Sequence, residues 1–306
     1  MTACATGDVL RAVSSVPHLV MVALAILALA GAALPFVVEW RAARARRRAD
    51  TCAHEEEEPL HWRAWLRGRL DEAALTLVAL ALAPLTLGRR ALAVHAGPAD
   101  RSPLVLLLGW GQHPWLWRLL VRRLRADGWG RVAVAGWTTP RLDLDRGTAV
   151  LADAIARLRA ATGAARVDVL AHGAAGLVVR AYLGRVGADA GVGRVLTVGS
   201  PHQGTEAATW GGVRALAGAL APDGATLRAL AADDRAPDLV EFVTLYSYED
   251  ALVLPPGHAY YPGAFGIEVR GPGHLGLLRS WHVYELIREN LAAESAPVRT
   301  AARADG

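Results

Sequence analysis

From about residue 101 onward, short apolar runs alternate with longer stretches of helical periodicity, and this rhythm constrains the fold more than any other feature of the chain. Pro103–Leu108, Arg131–Ala135, Arg166–Leu170, Arg194–Val198, Glu241–Tyr246 and Phe265–Val269 read as strands. Between them, Pro114–Asp127, Arg146–Ala161 and Trp281–Ala292 place apolar residues on one side of a helix. Strands that are apolar throughout and separated by helices predict an α/β domain, with a mostly parallel sheet covered by helices on both faces. Ligands of such sheets gather at the carboxyl ends of the strands. Residues 203–238, rich in alanine and glycine, interrupt the rhythm with two short helices: either a lid or cap over a cleft, or a long crossover.

The first hundred residues follow a different pattern. Leu19–Val38 is a run of twenty residues without a charge. As a helix it is about 30 Å long, the thickness of a bilayer's hydrocarbon core, and it is read as a transmembrane helix. Arg41, Arg44, Arg46, Arg47 and Arg48 follow it, against a lone Arg11 before it, which puts its C-terminal side in the cytoplasm. Beyond the acidic run Glu55–Glu58, Trp62–Leu70 suits an amphipathic helix lying on a membrane surface. A second apolar run, Ala73–Leu87, reaches only about 22 Å and contains Pro84. It either completes a hairpin, the reading favoured here, which puts the following domain outside the cytoplasm, or lies at the interface. The expected organisation is a membrane-anchoring region over 1–100, a globular domain over 101–294 and a disordered tail over 295–306.

Composition narrows the partners. A net charge of +4 could suggest nucleic acid, but all 33 basic residues are arginine and they are spread along the chain. With no aromatic or zinc-ligand pattern beside them, nucleic acid is not an expected partner. A mean hydropathy of +0.24 fits membrane segments, so the bilayer is expected to be one. Cys4 and Cys52 flank the first apolar run and form no disulfide framework.

Five segments of the globular region occur in an order that carries chemistry. They are Leu107-Leu108-Gly109-Trp110-Gly111; Val167–Leu170 leading into Ala171-His172-Gly173-Ala174-Ala175-Gly176; Val198 to Thr205, with Gly199-Ser200-Pro201-His202; Tyr246 to Asp250, followed by Val253 and Pro255; and Gly273 to Leu278, with His274. From Leu104 to Leu291 the chain resembles bacterial lipases and esterases of the α/β-hydrolase superfamily, especially triacylglycerol-lipase-like members. The resemblance implies a nucleophile elbow at Ala171–Gly176, Asp250 as the acid, His274 as the base, and an oxyanion hole from the backbone N–H groups of Trp110 and Ala174. No cofactor is expected, and no spacing among His172, His202 and His274 supports a metal.

The nucleophile itself is absent. Where these enzymes carry serine in G-H-S-M-G-G, this chain has Gly173, and the flanking glycines of the elbow are Ala171 and Ala175. Leu108 stands where the family often has histidine. Glycine relieves the positive φ that a serine endures there, so the turn is expected to have relaxed toward stability, its catalytic geometry no longer required. Ser200 belongs to a structural motif and Tyr182 lies on the next helix, so neither replaces the serine. His172 reads as packing beneath the elbow, and His202 as loop structure. Trp110, Trp115 and Trp117 either line an acyl pocket or are core and surface cover. The expectation is a lipase-like pseudohydrolase that takes an acyl or other apolar ligand, or a protein partner; the alternative is an ester hydrolase using activated water or an atypical nucleophile.

Overall fold

The computed structural model describes residues 40–41, 62–82, 85, 90–97, 101–139, 141–209, 219–232 and 234–293. The apolar run Leu19–Val38, most of the arginine cluster, the acidic run and the tail after 293 lie outside them. A long helix α1 (Trp62–Leu82) precedes strand β1 (Arg90–Ala96) and β2 (Leu104–Leu107). Helix α2 (Arg118–Ala126), β3 (Arg131–Trp137), α3 (Leu144–Thr162), β4 (Val167–His172), α4 (Ala175–Val186) and β5 (Val192–Val198) follow. Two short helices, α5 (Ala225–Ala231) and α6 (Ala236–Leu239), lead to β6 (Glu241–Ser247), β7 (Phe265–Val269) and α7 (Trp281–Ala292).

The seven strands form one sheet in the order β1-β3-β2-β4-β5-β6-β7. Every pairing is parallel except β1 with β3. Side-chain alternation splits the core in two. Val105 and Leu107 join α3 and α4 on one face, while Leu104 and Leu106 join α2, α7 and Leu75 of α1 on the other. Burial on both faces is why β2 and most of β3 read as apolar runs.

Local signals account for the helix ends. The Asp143 side chain accepts from the Arg146 amide at 2.9 Å, and Gly163 closes α3 at φ 70°. Ser280 caps α7, whose Val283, Tyr284, Ile287 and Leu291 form one buried face. The helix expected over Pro114–Asp127 is broken. Pro114–Trp117 forms a 3₁₀ turn capped by His113, which drives Trp117 into the core before α2 begins.

Two expectations need correction. The domain's sheet does not start after residue 101, because Arg90–Ala96 pairs along its whole length with β3. The second apolar segment, Ala73–Leu87, is not a separate membrane hairpin arm. Its residues through Leu82 are the second half of α1, and Leu75, Val78 and Ala79 pack into the core cluster that holds Leu275, Leu277 and Leu278. Among the described residues, no helix is long and apolar enough to cross a membrane.

Candidate active site

Strand β4 ends at His172, and the chain turns sharply through Gly173 into α4. Gly173 sits at φ 57°, and its N–H donates to the Val198 carbonyl at 3.0 Å, tying the turn to the end of β5. The elbow has therefore kept its shape around Ala171 and Ala175, both fully buried in the core. Gly176 keeps the small residue the turn needs, since a Cβ there would collide with Ser200. Glycine holds this positive φ without strain, so the turn gains the stability expected of the substitution without losing its sharp bend.

A Cβ built on Gly173 would lie 3.2 Å from His274 Nε2. His274 Nδ1–H donates to Asp250 Oδ2 at 2.7 Å, while Asp250 Oδ1 accepts from the Leu252 and Val253 amides at 2.7 and 3.0 Å. A carboxylate can only accept, so the imidazole carries its proton on Nδ1 and turns the lone pair of Nε2 toward the empty side of Gly173. Nε2 has no partner among the described residues. Burial opposes the charge on Asp250, but the imidazole beside it and the two amides outweigh burial and hold its pKa below the ordinary value. Burial likewise opposes the imidazolium, yet Asp250, with Glu72 beyond it, raises the His274 pKa. Gly199 lets the pair form: a Cβ there would stand 3.1 Å from Asp250 Oδ2 and 3.3 Å from His274 Nδ1.

His172 is more than packing. The Gly109 amide and Trp117 Nε1–H both donate to Gln112 Oε1, at 2.9 and 3.0 Å, which fixes the amide so that its Nε2–H donates to His172 Nδ1 at 2.8 Å. His172 Nε2–H then donates to the His274 carbonyl at 3.0 Å. One neutral imidazole thus links the loop after β2 to the loop carrying His274. Burial, then the neighbouring His274, pushes the His172 pKa down to about 3.

The other candidates fall into place around this centre. The backbone N–H groups of Trp110 and Ala174 have no acceptor among the described residues; Trp110 itself is anchored through Nε1–H to Thr139 at 3.3 Å. Leu108 is buried with its amide on Ala135. Trp117 is core, and Trp115 is exposed. Ser200 lies buried against Gly176, not against His274, and Tyr182 donates to the Ala190 carbonyl at 2.8 Å, so neither hydroxyl serves the imidazole. His202 bonds Thr197 at 2.9 Å and stacks on Tyr261. Among the described residues no group of three or more His, Cys, Asp or Glu side chains could hold a metal.

Sequence reasoning missed three supports. Gln112 follows the expected oxyanion motif directly and was readable there. Glu72 of α1 accepts from the Leu275 and Gly276 amides at 2.9 and 2.8 Å, a contact across two hundred residues that no local pattern announces. Arg180 donates to the His202 carbonyl at 2.6 Å and pairs with Asp234, which also accepts from Tyr261, so the described part of the 203–238 insertion is pinned on α4.

No family model matches the chain. Among solved structures, it is similar to the mature form of a lipase from Bacillus licheniformis, at 17% identity and a TM-score of 0.52 over 67% of this chain and 98% of that one. The same lipase in its propeptide form gives 18% identity and a TM-score of 0.55, over 69% and 56% of the two chains. Lipase B of Aspergillus fumigatus gives 16% and 0.51, over 66% and 56%. The fold is that of the α/β-hydrolases.

Proposed function

We propose that this chain is a membrane-anchored, lipase/esterase-like protein that has lost its nucleophile: a pseudohydrolase whose site takes an acyl or other apolar ligand, or a partner. One observation carries the reading. The hydrogen-bonded pair His274–Asp250 turns Nε2 toward Gly173 in a sharp strand-to-helix turn, and residue 173 has no side-chain atom to attack with. Hydrolysis through an acyl-enzyme needs an oxygen on residue 173, with Nε2 of His274 taking its proton and Asp250 stabilising the imidazolium. Without that oxygen the base has no hydroxyl to activate among the described residues. The ligand class rests on the fold and on neighbours named as lipases, an argument by analogy. Anchoring rests on Leu19–Val38 and the arginines after it, which orient that helix with its C-terminal side in the cytoplasm.

A second reading has its own support. The unpartnered Nε2, backed by Asp250, is a competent base for a water standing where the serine oxygen would be. A triad lacking one member retains on the order of 10³–10⁴ over water. The purified protein with p-nitrophenyl butyrate separates the two. The pseudohydrolase reading expects binding of a fatty acid or alkylphosphonate with turnover no faster than buffer. Turnover that is abolished by His274→Ala would replace it with the water mechanism.

A further inference from the structure

Among the described residues, only one of two opposed faces of helix α1 packs against the domain. Gly68, Glu72, Leu75 and Ala79, spaced four, three and four residues apart, face the domain. Glu72 holds the His274 loop, Arg69 donates to the Glu249 carbonyl at 3.0 Å, and Gly68 sits so close to Gly271 that a Cβ would collide. The other side carries Trp62, Leu66, Leu70, Ala73, Leu77 and Leu80, spaced four, four, three, four and three apart. That spacing draws one straight stripe along the helix. Trp62, Leu70 and Leu80 are 62%, 56% and 46% exposed, and half of the large apolar side chains left exposed among the described residues fall in α1 or just after it, at Leu85. A patch of this kind marks a contact.

We propose that the occupant is the headgroup region of an anionic bilayer: α1 lies in the interface on its Trp62–Leu80 stripe while its opposite face holds the loop carrying His274. The proposal rests on the membrane-anchored reading above. The chain tethers α1 to a bilayer, since only 23 residues, 39–61, separate the end of the uncharged run at Val38 from Trp62. Arg63 and Arg67 flank the stripe, and the arginine cluster at 41–48 lies on the same tether, complementary to anionic lipid. Trp62 and Trp65 at one end are residues that favour the membrane boundary. Five charged residues within α1, Arg63, Arg67, Arg69, Asp71 and Glu72, fit a helix lying on a bilayer rather than crossing it.

The test uses the full chain in phosphatidylcholine–phosphatidylglycerol vesicles, with Cys4→Ser and Cys52→Ser, and one environment-sensitive label at Leu70→Cys, Leu77→Cys or, as control, the exposed Ala232→Cys. Labels at 70 and 77 should be quenched by brominated acyl chains and the label at 232 should not. A protein that floats with the vesicles while both stripe labels stay in water overturns the proposal and leaves anchoring intact. Failure to float overturns both. Oxidative cross-linking of two copies through Leu70→Cys would assign the stripe to a second copy and overturn the proposal as well.

Discussion

Gly173 gives the turn a residue suited to a positive φ and leaves it without a side-chain oxygen. At φ 57° a glycine is at ease, whereas a serine there costs about 1–3 kcal/mol. Gly173→Ser should therefore lower the unfolding free energy by about that amount in urea titration, while creating ester hydrolysis measurable with p-nitrophenyl butyrate, because its Cβ would stand 3.2 Å from the waiting Nε2. The base must be neutral to act, and Asp250 and Glu72 raise its pKa despite burial. The kcat/KM of the Gly173→Ser variant should accordingly rise with pH, with its midpoint above the 6.5 of an ordinary histidine; a midpoint below 6.5 would contradict the geometry. Asp250, His274 and Gly173 were all legible in the sequence because short ordered motifs surround each.

Among the elements, α1 does the most that its sequence did not reveal. It reads as a short surface helix followed by an apolar run, because both of its faces are apolar and only tertiary contact distinguishes the used one. Glu72→Ala leaves the Leu275 and Gly276 amides without an acceptor and should cost about 1–3 kcal/mol in urea unfolding. Glu72→Gln keeps one acceptor oxygen and should cost less; equal stability of both variants with the parent would show that α1 does not hold the loop. The strands from β2 to β7 were legible to within two residues at each end, because short, mostly apolar runs bounded by turn residues mark them. Strand β1 was not: it is an edge strand with Ala93 and His95 exposed, and its identity comes from pairing with Arg131–Trp137.

For the molecule as a whole, two buried neutral histidines set the response to acid. Burial holds the pKa of His172 near 3 and that of His202 well below its ordinary value. The unfolded chain binds these protons below about 6.5 while the folded one does not, so the stability they confer is full above 6.5 and is lost as pH falls toward 3. The Tm should fall steadily from pH 7 to pH 4, and less steeply in His172→Gln; parallel profiles would remove His172 from the account. The central claim is that a complete hydrolase framework surrounds a position with no attacking atom. Intact-mass measurement after incubation with an alkyl fluorophosphonate tests it most directly: the native chain should gain no mass, and Gly173→Ser should gain one phosphonyl group on residue 173. A stoichiometric adduct on the native chain would mean that another side chain is the nucleophile.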